Sequence, residues 1–117
     1  MSNVTKQLKR GTLDLTILHL LGDGPMYGYQ LVSTIEKLGG EGLSVKEGTL
    51  YPVLYRLEDK GLVVTEWNKP ERGVPRKYYH ITQVGSARLT ELVQEWKRFS
   101  TAINRILEYQ GDSHEKN

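Results

Sequence analysis

The sequence predicts a mainly α-helical protein with a small β-hairpin and one long helix towards its C-terminal end. Apolar residues recur at helical spacing in three stretches before residue 60. Two short segments rich in β-branched and aromatic residues then flank a tip that contains Pro70, Gly73 and Pro75. A last apolar stripe repeats about every 3.5 residues, as in helices that pack along a partner. The order helix, helix, helix, strand, strand is the plan of a winged helix-turn-helix domain.

The first two helices are predicted by apolar spacing and by strong stop signals. From Thr5 to Leu21 one face carries Leu13, Ile17, Leu20 and Leu21, widened by Leu15 and Leu18. Gly22-Asp23-Gly24-Pro25 then ends this helix, because glycine and proline favour turns. A second helix is expected from about Tyr27 to Leu38, and Gly39-Gly40 ends it.

The third helix is expected between Ser44 and Gly61. Ser44 and Glu47 have the spacing of a capping box, in which each side chain bonds to the backbone N–H of the other residue. The core face consists of Leu50, Leu54 and Leu57. Gly61 supplies a left-handed stop, whereas Pro52 removes a backbone donor and is expected to bend or restart the helix.

The hairpin strands are expected at Leu62–Trp67 and Arg76–Ile81, and Thr82 is expected to cap the last helix. Along that helix the apolar residues step by three, four, three, four and three, and they are Leu89, Leu92, Trp96, Phe99, Ile103 and Ile106. On a monomer this stripe would be an exposed apolar surface of a size that soluble proteins rarely carry. We therefore expect a two-fold homodimer with Leu89, Trp96, Phe99, Ile103 and Ile106 in its interface.

The charged residues predict binding to double-stranded DNA by two elements. Net charge is only +2, yet the segment from Lys69 to His80 holds four Lys or Arg against one acid, which indicates a local footprint. The candidates on the third helix are Lys46, Thr49, Tyr51 and Arg56, and those at the hairpin tip are Arg72, Arg76 and Lys77. Such side chains contact phosphates and base edges. A solvated helix face and a solubilising turn are the alternatives without a function.

The expected domains follow from these elements. Residues 1–81 form a winged helix-turn-helix DNA-binding domain, residues 82–110 a dimerisation helix, and residues 111–117 a flexible tail. The competing function is a winged-helix adaptor that binds protein and not DNA.

The composition disfavours several classes of protein. No cysteine is present, which excludes disulfides and thiolate metal sites. His19, His80 and His114 lack catalytic or metal-ligand spacing, so we expect no enzyme, no metal and no cofactor. No apolar run approaches the roughly 20 residues of a membrane span, and the start lacks the apolar core of a signal peptide. The cytoplasm is the expected compartment.

Five separated blocks of the sequence carry a resemblance to a known family. They are Gly11-Thr12-Leu13-Asp14-Leu15, Gly24-Pro25-Met26-Tyr27-Gly28-Tyr29, Glu47-Gly48-Thr49-Leu50-Tyr51-Pro52, Arg56-Leu57-Glu58-Asp59-Lys60-Gly61 and Arg76-Lys77-Tyr78-Tyr79, the last with Thr82 and Gly85. Together they resemble the PadR family of bacterial transcriptional regulators over about residues 8 to 108. With a single long helix after the hairpin, the chain is similar to the short branch of that family. This branch includes multidrug-sensing repressors that hold a flat aromatic ligand between paired tryptophans at the dimer interface.

The resemblance implies a ligand site around Trp96, which lies where that tryptophan is expected. Leu92 and Phe99 beside it look bulkier than the residues of the drug binders, so the expected pore is narrower or filled. The first helix supplies the opposite wall, with Asp14, Leu15 and Leu18, and Asp14 either favours cationic ligands or bonds the partner subunit. The implied function is a ligand-responsive dimeric repressor on an inverted-repeat operator, which controls efflux or detoxification of aromatic compounds.

Overall fold

The structure, a computed structural model, describes residues 12–111 of the 117. Within that range the elements are α1 (Leu13–Leu21), β1 (Met26–Tyr27), α2 (Gly28–Gly39), α3 (Glu47–Asp59), β2 (Val63–Asn68), β3 (Arg76–Ile81) and α4 (Gln83–Glu108). The predicted fold class, helical with a small hairpin and a long last helix, is confirmed. The predictions for residues 5–11 of the first helix, for His114 and for the tail beyond Gly111 lie outside the described residues.

The core lies where α1, α2 and α3 turn their apolar faces towards one another and towards the sheet. Ile17 of α1 and Leu31 of α2 have no exposed surface. The predicted core face of α3 is confirmed, since Leu50, Leu54 and Leu57 are also fully buried. Burial of each such side chain contributes about 1.5–3 kcal/mol, so this face fixes the rotation of α3 about its axis.

The start of α3 differs from the predicted capping box. Lys46 is the N-cap, with extended backbone, and the helix begins at Glu47, three residues after Ser44. The reason is Val45, which is 4% exposed and joins the core from the loop before the helix. Pro52 does not restart the helix, because α3 continues without interruption from Glu47 to Asp59, and a bend at Pro52 stays a prediction. Pro52 has no backbone N–H, so the Gly48 carbonyl lacks its usual partner within the helix. Gly48 is exposed to water.

The end of α3 confirms the left-handed stop at Gly61, whose φ is 75°. The Gly61 N–H donates to the Glu58 carbonyl at 2.9 Å, and the Leu62 N–H donates to the Leu57 carbonyl at 2.9 Å. This pair of bonds is the Schellman motif, which satisfies the last carbonyls of a helix. It turns the chain directly from α3 into β2.

The sheet has three antiparallel strands within the described residues, in the order β1-β3-β2. The hairpin pairs Val63 with Ile81 and Asn68 with Arg76 at its two ends. The additional strand β1 pairs Tyr27 with Tyr78 and Met26 with Tyr79. No pattern in the sequence predicted β1, because two residues are too short to show alternation.

The last helix begins as predicted and is anchored to the hairpin. The Gly85 N–H donates to the Thr82 hydroxyl at 2.9 Å, so Thr82 is the N-cap. Leu89 and Leu92 pack against the core, and α4 contacts α1. The apolar stripe expected to be exposed on a monomer is therefore partly covered within the chain, at Leu89 and Leu92. Its remaining apolar residues Trp96, Phe99, Ile103 and Ile106 stay exposed.

None of the helices in residues 12–111 combines the length and the apolar character needed to cross a membrane.

Candidate nucleic-acid interface and interhelical groove

The N-terminal part of α3 presents polar side chains to solvent. Lys46 and Thr49 are both exposed, because the core face formed around Leu50 and Leu54 holds the opposite side of the helix. The Lys46 carbonyl accepts from the N–H groups of Thr49 and Leu50 at 3.0 Å. Free N–H groups and the helix dipole give such an end a partial positive charge, which is favourable for phosphate.

Tyr51 lies deeper than Lys46 and Thr49. Its ring packs against Gly28 at the start of α2, where an added Cβ would lie 2.2 Å from the Tyr51 hydroxyl oxygen. Burial, followed by the negative charge of Glu47 and by Tyr55, raises the pKa of Tyr51. The hydroxyl therefore stays protonated at neutral pH and serves as a neutral donor and acceptor.

Arg56 points towards α1. One guanidinium nitrogen, Nη2, donates to carboxylate Oδ1 of Asp14, which forms an ion pair between α3 and α1. The two side chains are 46% and 29% exposed. Arg56 was predicted to contact DNA and Asp14 to line a ligand site, and the structure brings these two residues together.

The cations of the hairpin lie against aromatic rings. The Cζ atom of Arg76 lies over the Tyr27 ring, 4.6 Å from its centroid. The Lys77 ammonium lies 5.8 Å from the centroid of the Tyr55 ring and 5.6 Å from that of the Tyr79 ring. Arg72 is exposed in the loop between β2 and β3. At exposed positions, a contact between a cation and an aromatic ring contributes about 0.5–1 kcal/mol of stabilisation.

Tyr79 forms the floor beneath Lys77. It is 3% exposed, and burial, followed by the effects of Tyr51, Glu58 and Tyr55, raises the pKa of Tyr79 to about 12. Tyr55, which follows the fully buried Leu54, is by contrast 62% exposed.

These residues surround one cleft of about 600 Å³ between α3, the start of α2 and the hairpin. We call it the aromatic cleft, and it is lined by Tyr27, Gly28, Tyr29, Tyr51, Tyr55, Trp67, Pro75, Arg76, Lys77 and Tyr79. The structure thus brings Tyr51 of the third helix together with Arg76 and Lys77 of the hairpin. Lys46, Thr49 and Arg72 lie outside the cleft lining, on neighbouring exposed surface.

A second depression, of about 290 Å³, lies between α1 and the middle of α4. We call it the interhelical groove, and it is lined by Thr12, Leu15, Leu92, Glu95, Trp96 and Phe99. Four of the six predicted ligand residues meet there. Leu18 does not, because it has no exposed surface and lies in the core. Asp14 is absent from the lining and pairs with Arg56 instead.

Two groups of residues in these sites were not predicted from the sequence. Tyr27 of β1, Tyr29 at the start of α2 and Trp67 of β2 reach the aromatic cleft through tertiary packing, and nothing in their spacing indicated it. Glu95 of the interhelical groove follows Leu92 by one helical turn, so the periodicity of the last helix contained the signal. Glu95 therefore supplies the carboxylate of the groove, a role that was predicted from the sequence for Asp14.

Comparison with known proteins identifies the family of this chain. Residues 17–91 match the transcriptional regulator PadR-like family. The chain is 38% identical over 86 residues to a transcriptional regulator of Mycobacterium tuberculosis, which covers 74% of this chain and 77% of that protein. It is 37% identical over 105 residues to an uncharacterised protein of Lysinibacillus sphaericus, which covers 90% of this chain and 96% of that protein.

Solved structures agree in fold over nearly the whole chain. A PadR family transcriptional regulator from Eggerthella lenta superposes with a TM-score of 0.80 at 34% identity and covers 92% of this chain and 91% of that one. A PadR-like transcriptional regulator from Bacillus cereus has a TM-score of 0.76 at 36% identity and covers 91% and 99%. The resemblance inferred from the five sequence blocks is therefore confirmed, and the chain belongs to the PadR-like family of transcriptional regulators.

Proposed function

We propose that this regulator is a homodimeric repressor that binds an inverted-repeat operator through α3 and the hairpin. The observation that carries the proposal is the aromatic cleft, where Arg76 and Lys77 lie next to the outward face of α3. No salt bridge engages either cation within residues 12–111. Both charges are therefore available to phosphate oxygens.

The two elements have different roles in the proposed complex. Thr49 and the Tyr51 hydroxyl face the groove of the duplex and contact base edges, where each good contact contributes about 1–3 kcal/mol of discrimination. Arg72, Arg76 and Lys77 neutralise the backbone and contribute affinity that falls with salt. Two copies related by a two-fold axis read half-sites whose centres are about one helical turn, roughly 10 bp, apart.

The exposed apolar residues of α4 support the dimer. Trp96 is 45% exposed, and Phe99 and Ile106 are more exposed still. An apolar stripe of this kind on a soluble regulator is stabilised when a second copy covers it. The same contact brings two interhelical grooves towards the two-fold axis, with Trp96 of each copy facing the other.

Selection from a random duplex library with the purified protein tests the function. We expect enrichment of an inverted repeat. Affinities for the selected duplex and for a scrambled duplex, measured by fluorescence anisotropy at several salt concentrations, then separate the two elements. Arg76→Ala should weaken binding to both duplexes alike and reduce the salt slope by about 0.9 for each lost phosphate contact.

Thr49→Ala should act differently from Arg76→Ala. It should lower the ratio of the affinity for the selected duplex to that for the scrambled duplex and leave the salt slope unchanged. Lys60→Ala is the matched control, because Lys60 is an exposed cation at the opposite end of α3. Identical effects of Thr49→Ala and Arg76→Ala would contradict the division of roles. Absence of any enriched sequence, together with salt-independent binding, would favour a winged-helix protein-interaction adaptor.

A response to a ligand is the finer part of the proposal, and the interhelical groove supports it. Trp96 offers an aromatic face, and Glu95 in the same lining offers a carboxylate, which together suit a planar aromatic cation. Binding in the groove changes DNA affinity only if the ligand prefers one arrangement of the dimer over the other. A repressor that responds to planar aromatic cations would control genes for the efflux or detoxification of aromatic compounds.

A further inference from the structure

We propose that Tyr27 is a positioning residue for DNA binding, which orders the Arg76 guanidinium before the duplex arrives. This inference rests on the proposed binding of DNA by the hairpin. It assigns a role to β1, the two-residue strand on which Tyr27 lies.

The sheet register explains how Tyr27 reaches Arg76. Tyr27 pairs directly with Tyr78 across the β1–β3 ladder. Arg76 precedes Tyr78 by two residues, so the side chains of Arg76 and Tyr78 lie on the same face of β3. The Arg76 Cζ atom consequently lies over the Tyr27 ring at 4.6 Å from its centroid. The Tyr78 ring meets the Tyr27 ring edge to face, with centroids 5.4 Å apart and an angle of 77° between the planes.

Contact with one ring leaves most of the hydrogen-bonding capacity of arginine available. A guanidinium carries five N–H donors spread around its plane, and a single ring 4.6 Å from its Cζ atom cannot engage all of them. Arg76 remains exposed at the start of β3, with no salt bridge to any carboxylate in the described part of the chain. A phosphate can thus receive the N–H groups of Arg76 while the ring contact persists.

The ring contact matters because an arginine loses rotamer freedom when it binds. Immobilising such a side chain at an interface opposes association, and a side chain ordered beforehand reduces that loss. Tyr27 lowers the freedom of Arg76 in the unbound protein. Removal of the Tyr27 ring is therefore expected to weaken DNA binding through its effect on Arg76, and this effect requires no contact between Tyr27 and DNA.

The backbone of Tyr27 is fixed independently of its ring. Tyr27 is the N-cap of α2, and its N–H donates to the Gln30 side-chain carbonyl at 3.3 Å. Its strand pairing with Tyr78 adds a second constraint. The ring therefore projects from the junction between the helix-turn-helix core and the hairpin, so it orders Arg76 relative to α3 as well as to β3.

The test compares Tyr27→Leu with Tyr27→Phe, each alone and combined with Arg76→Ala, using anisotropy on the selected duplex. Tyr27→Leu removes the π-face and should weaken binding about two- to fivefold per wing, the range expected for an exposed cation–π contact. Tyr27→Phe keeps the ring and should bind as wild type does. In the Arg76→Ala background, Tyr27→Leu should cause no further loss. Circular dichroism and thermal unfolding of every variant report the fold separately.

Each alternative result has a distinct meaning. If Tyr27→Leu weakens binding equally with and without Arg76, Tyr27 acts through the fold or through its own contact with DNA, and the inference is overturned. A folded Tyr27→Leu variant that binds DNA as tightly as wild type, or more tightly, also overturns the inference. The contact between Tyr27 and Arg76 would then have no effect on DNA affinity or would compete with DNA for Arg76. If Arg76→Ala itself leaves affinity unchanged, the proposed hairpin contact fails, and with it the inference.

Discussion

Asp14 of α1 and Arg56 of α3 form an ion pair between residues that lie 42 positions apart in the chain. Asp14 precedes Leu15, which lines the interhelical groove, and Arg56 lies on the proposed DNA-reading helix. The pair is therefore a direct electrostatic contact between the helix that forms one wall of the interhelical groove and the proposed DNA-binding element. Because both side chains are partly exposed, its contribution to stability is expected to be at most about 1 kcal/mol.

The first prediction is that Asp14→Asn increases affinity for DNA. Without the Asp14 carboxylate, the Arg56 guanidinium is free to turn towards a phosphate, and one negative charge is removed. We expect a gain of a few-fold at low salt that diminishes as salt rises. Anisotropy titrations on the selected duplex at two salt concentrations measure it.

The Arg56→Ala background is the control for this first prediction. If release of Arg56 causes the gain, Asp14→Asn should add nothing once Arg56 is absent. An equal gain in both backgrounds would mean that only the overall charge matters and that the ion pair does not restrain Arg56.

Local sequence signals were sufficient for most of the fold and insufficient for the contacts between distant elements. Thr82 and Gly61 were predicted as cap and stop because capping depends on residues within one turn. The contact between Asp14 and Arg56 and the ring beneath Arg76 depend on how α1 and β1 pack, which neighbouring residues do not specify. Val45 shows the same limit, since a tertiary contact overrode a local capping pattern at Ser44.

The second prediction concerns the junction of α4 with the hairpin. A Cβ at Gly85 would lie 2.1 Å from the Leu62 carbonyl oxygen, which also accepts from the Thr82 N–H at 3.0 Å. Gly85→Ala must therefore displace the start of α4, and we expect the free energy of unfolding to fall by about 1–3 kcal/mol or more. Urea unfolding measures the change.

Gly48→Ala is the matched control for Gly85→Ala, because a Cβ at Gly48 would have no neighbour within 4 Å. Alanine is favoured over glycine within a helix, so Gly48→Ala should stabilise the protein by about 0.5–1 kcal/mol. Equal effects of the two substitutions would contradict the close packing at Gly85.

The third prediction is a loss of stability at alkaline pH that depends on Tyr79. Burial raises the pKa of Tyr79 to about 12 in the folded protein, whereas the unfolded value is about 10. The folded state therefore favours the protonated phenol, and this contribution is fully present below about pH 10 and disappears as the pH rises to about 12. Its size is on the order of 2–3 kcal/mol.

Urea unfolding at pH 9 and pH 11.5 isolates the effect of Tyr79 by comparison with Tyr79→Phe, which keeps the ring and lacks the titrating group. The difference in unfolding free energy between the two proteins should move in favour of Tyr79→Phe as the pH rises. A difference that does not change with pH would mean that Tyr79 ionises at its ordinary pKa.

The fourth prediction is that a charge on the apolar stripe of α4 prevents dimerisation. Ile103→Glu should yield monomer or unfolded protein, because it would place an unpaired carboxylate in the proposed interface. Thr101→Glu is the control, since at about 100° per residue Thr101 projects from nearly the opposite side of α4. Sedimentation velocity at micromolar concentration should show a dimer for wild type and for Thr101→Glu. A stable folded wild-type monomer would contradict the dimer.

The fifth prediction is that planar aromatic cations bind at Trp96 and quench its fluorescence. The interhelical groove places Trp96 beside Leu92, Phe99 and Glu95, and its volume of about 290 Å³ belongs to one chain alone. A second copy across the two-fold axis would supply the other half of the site. The Glu95 carboxylate should make a cationic aromatic bind more tightly than a phenolic acid of similar size.

Titrations of wild type, Trp96→Ala and Glu95→Gln with one flat cation and one phenolic acid test the fifth prediction. Trp67 remains in Trp96→Ala and reports binding elsewhere, since it lies in the aromatic cleft and is 56% exposed. Quenching should disappear in Trp96→Ala, and Glu95→Gln should reduce the preference for the cation. Quenching that survives Trp96→Ala would place the ligand outside the interhelical groove. If neither compound quenches wild type, Leu92 and Phe99 fill the site, and Trp96 serves only to pack the dimer.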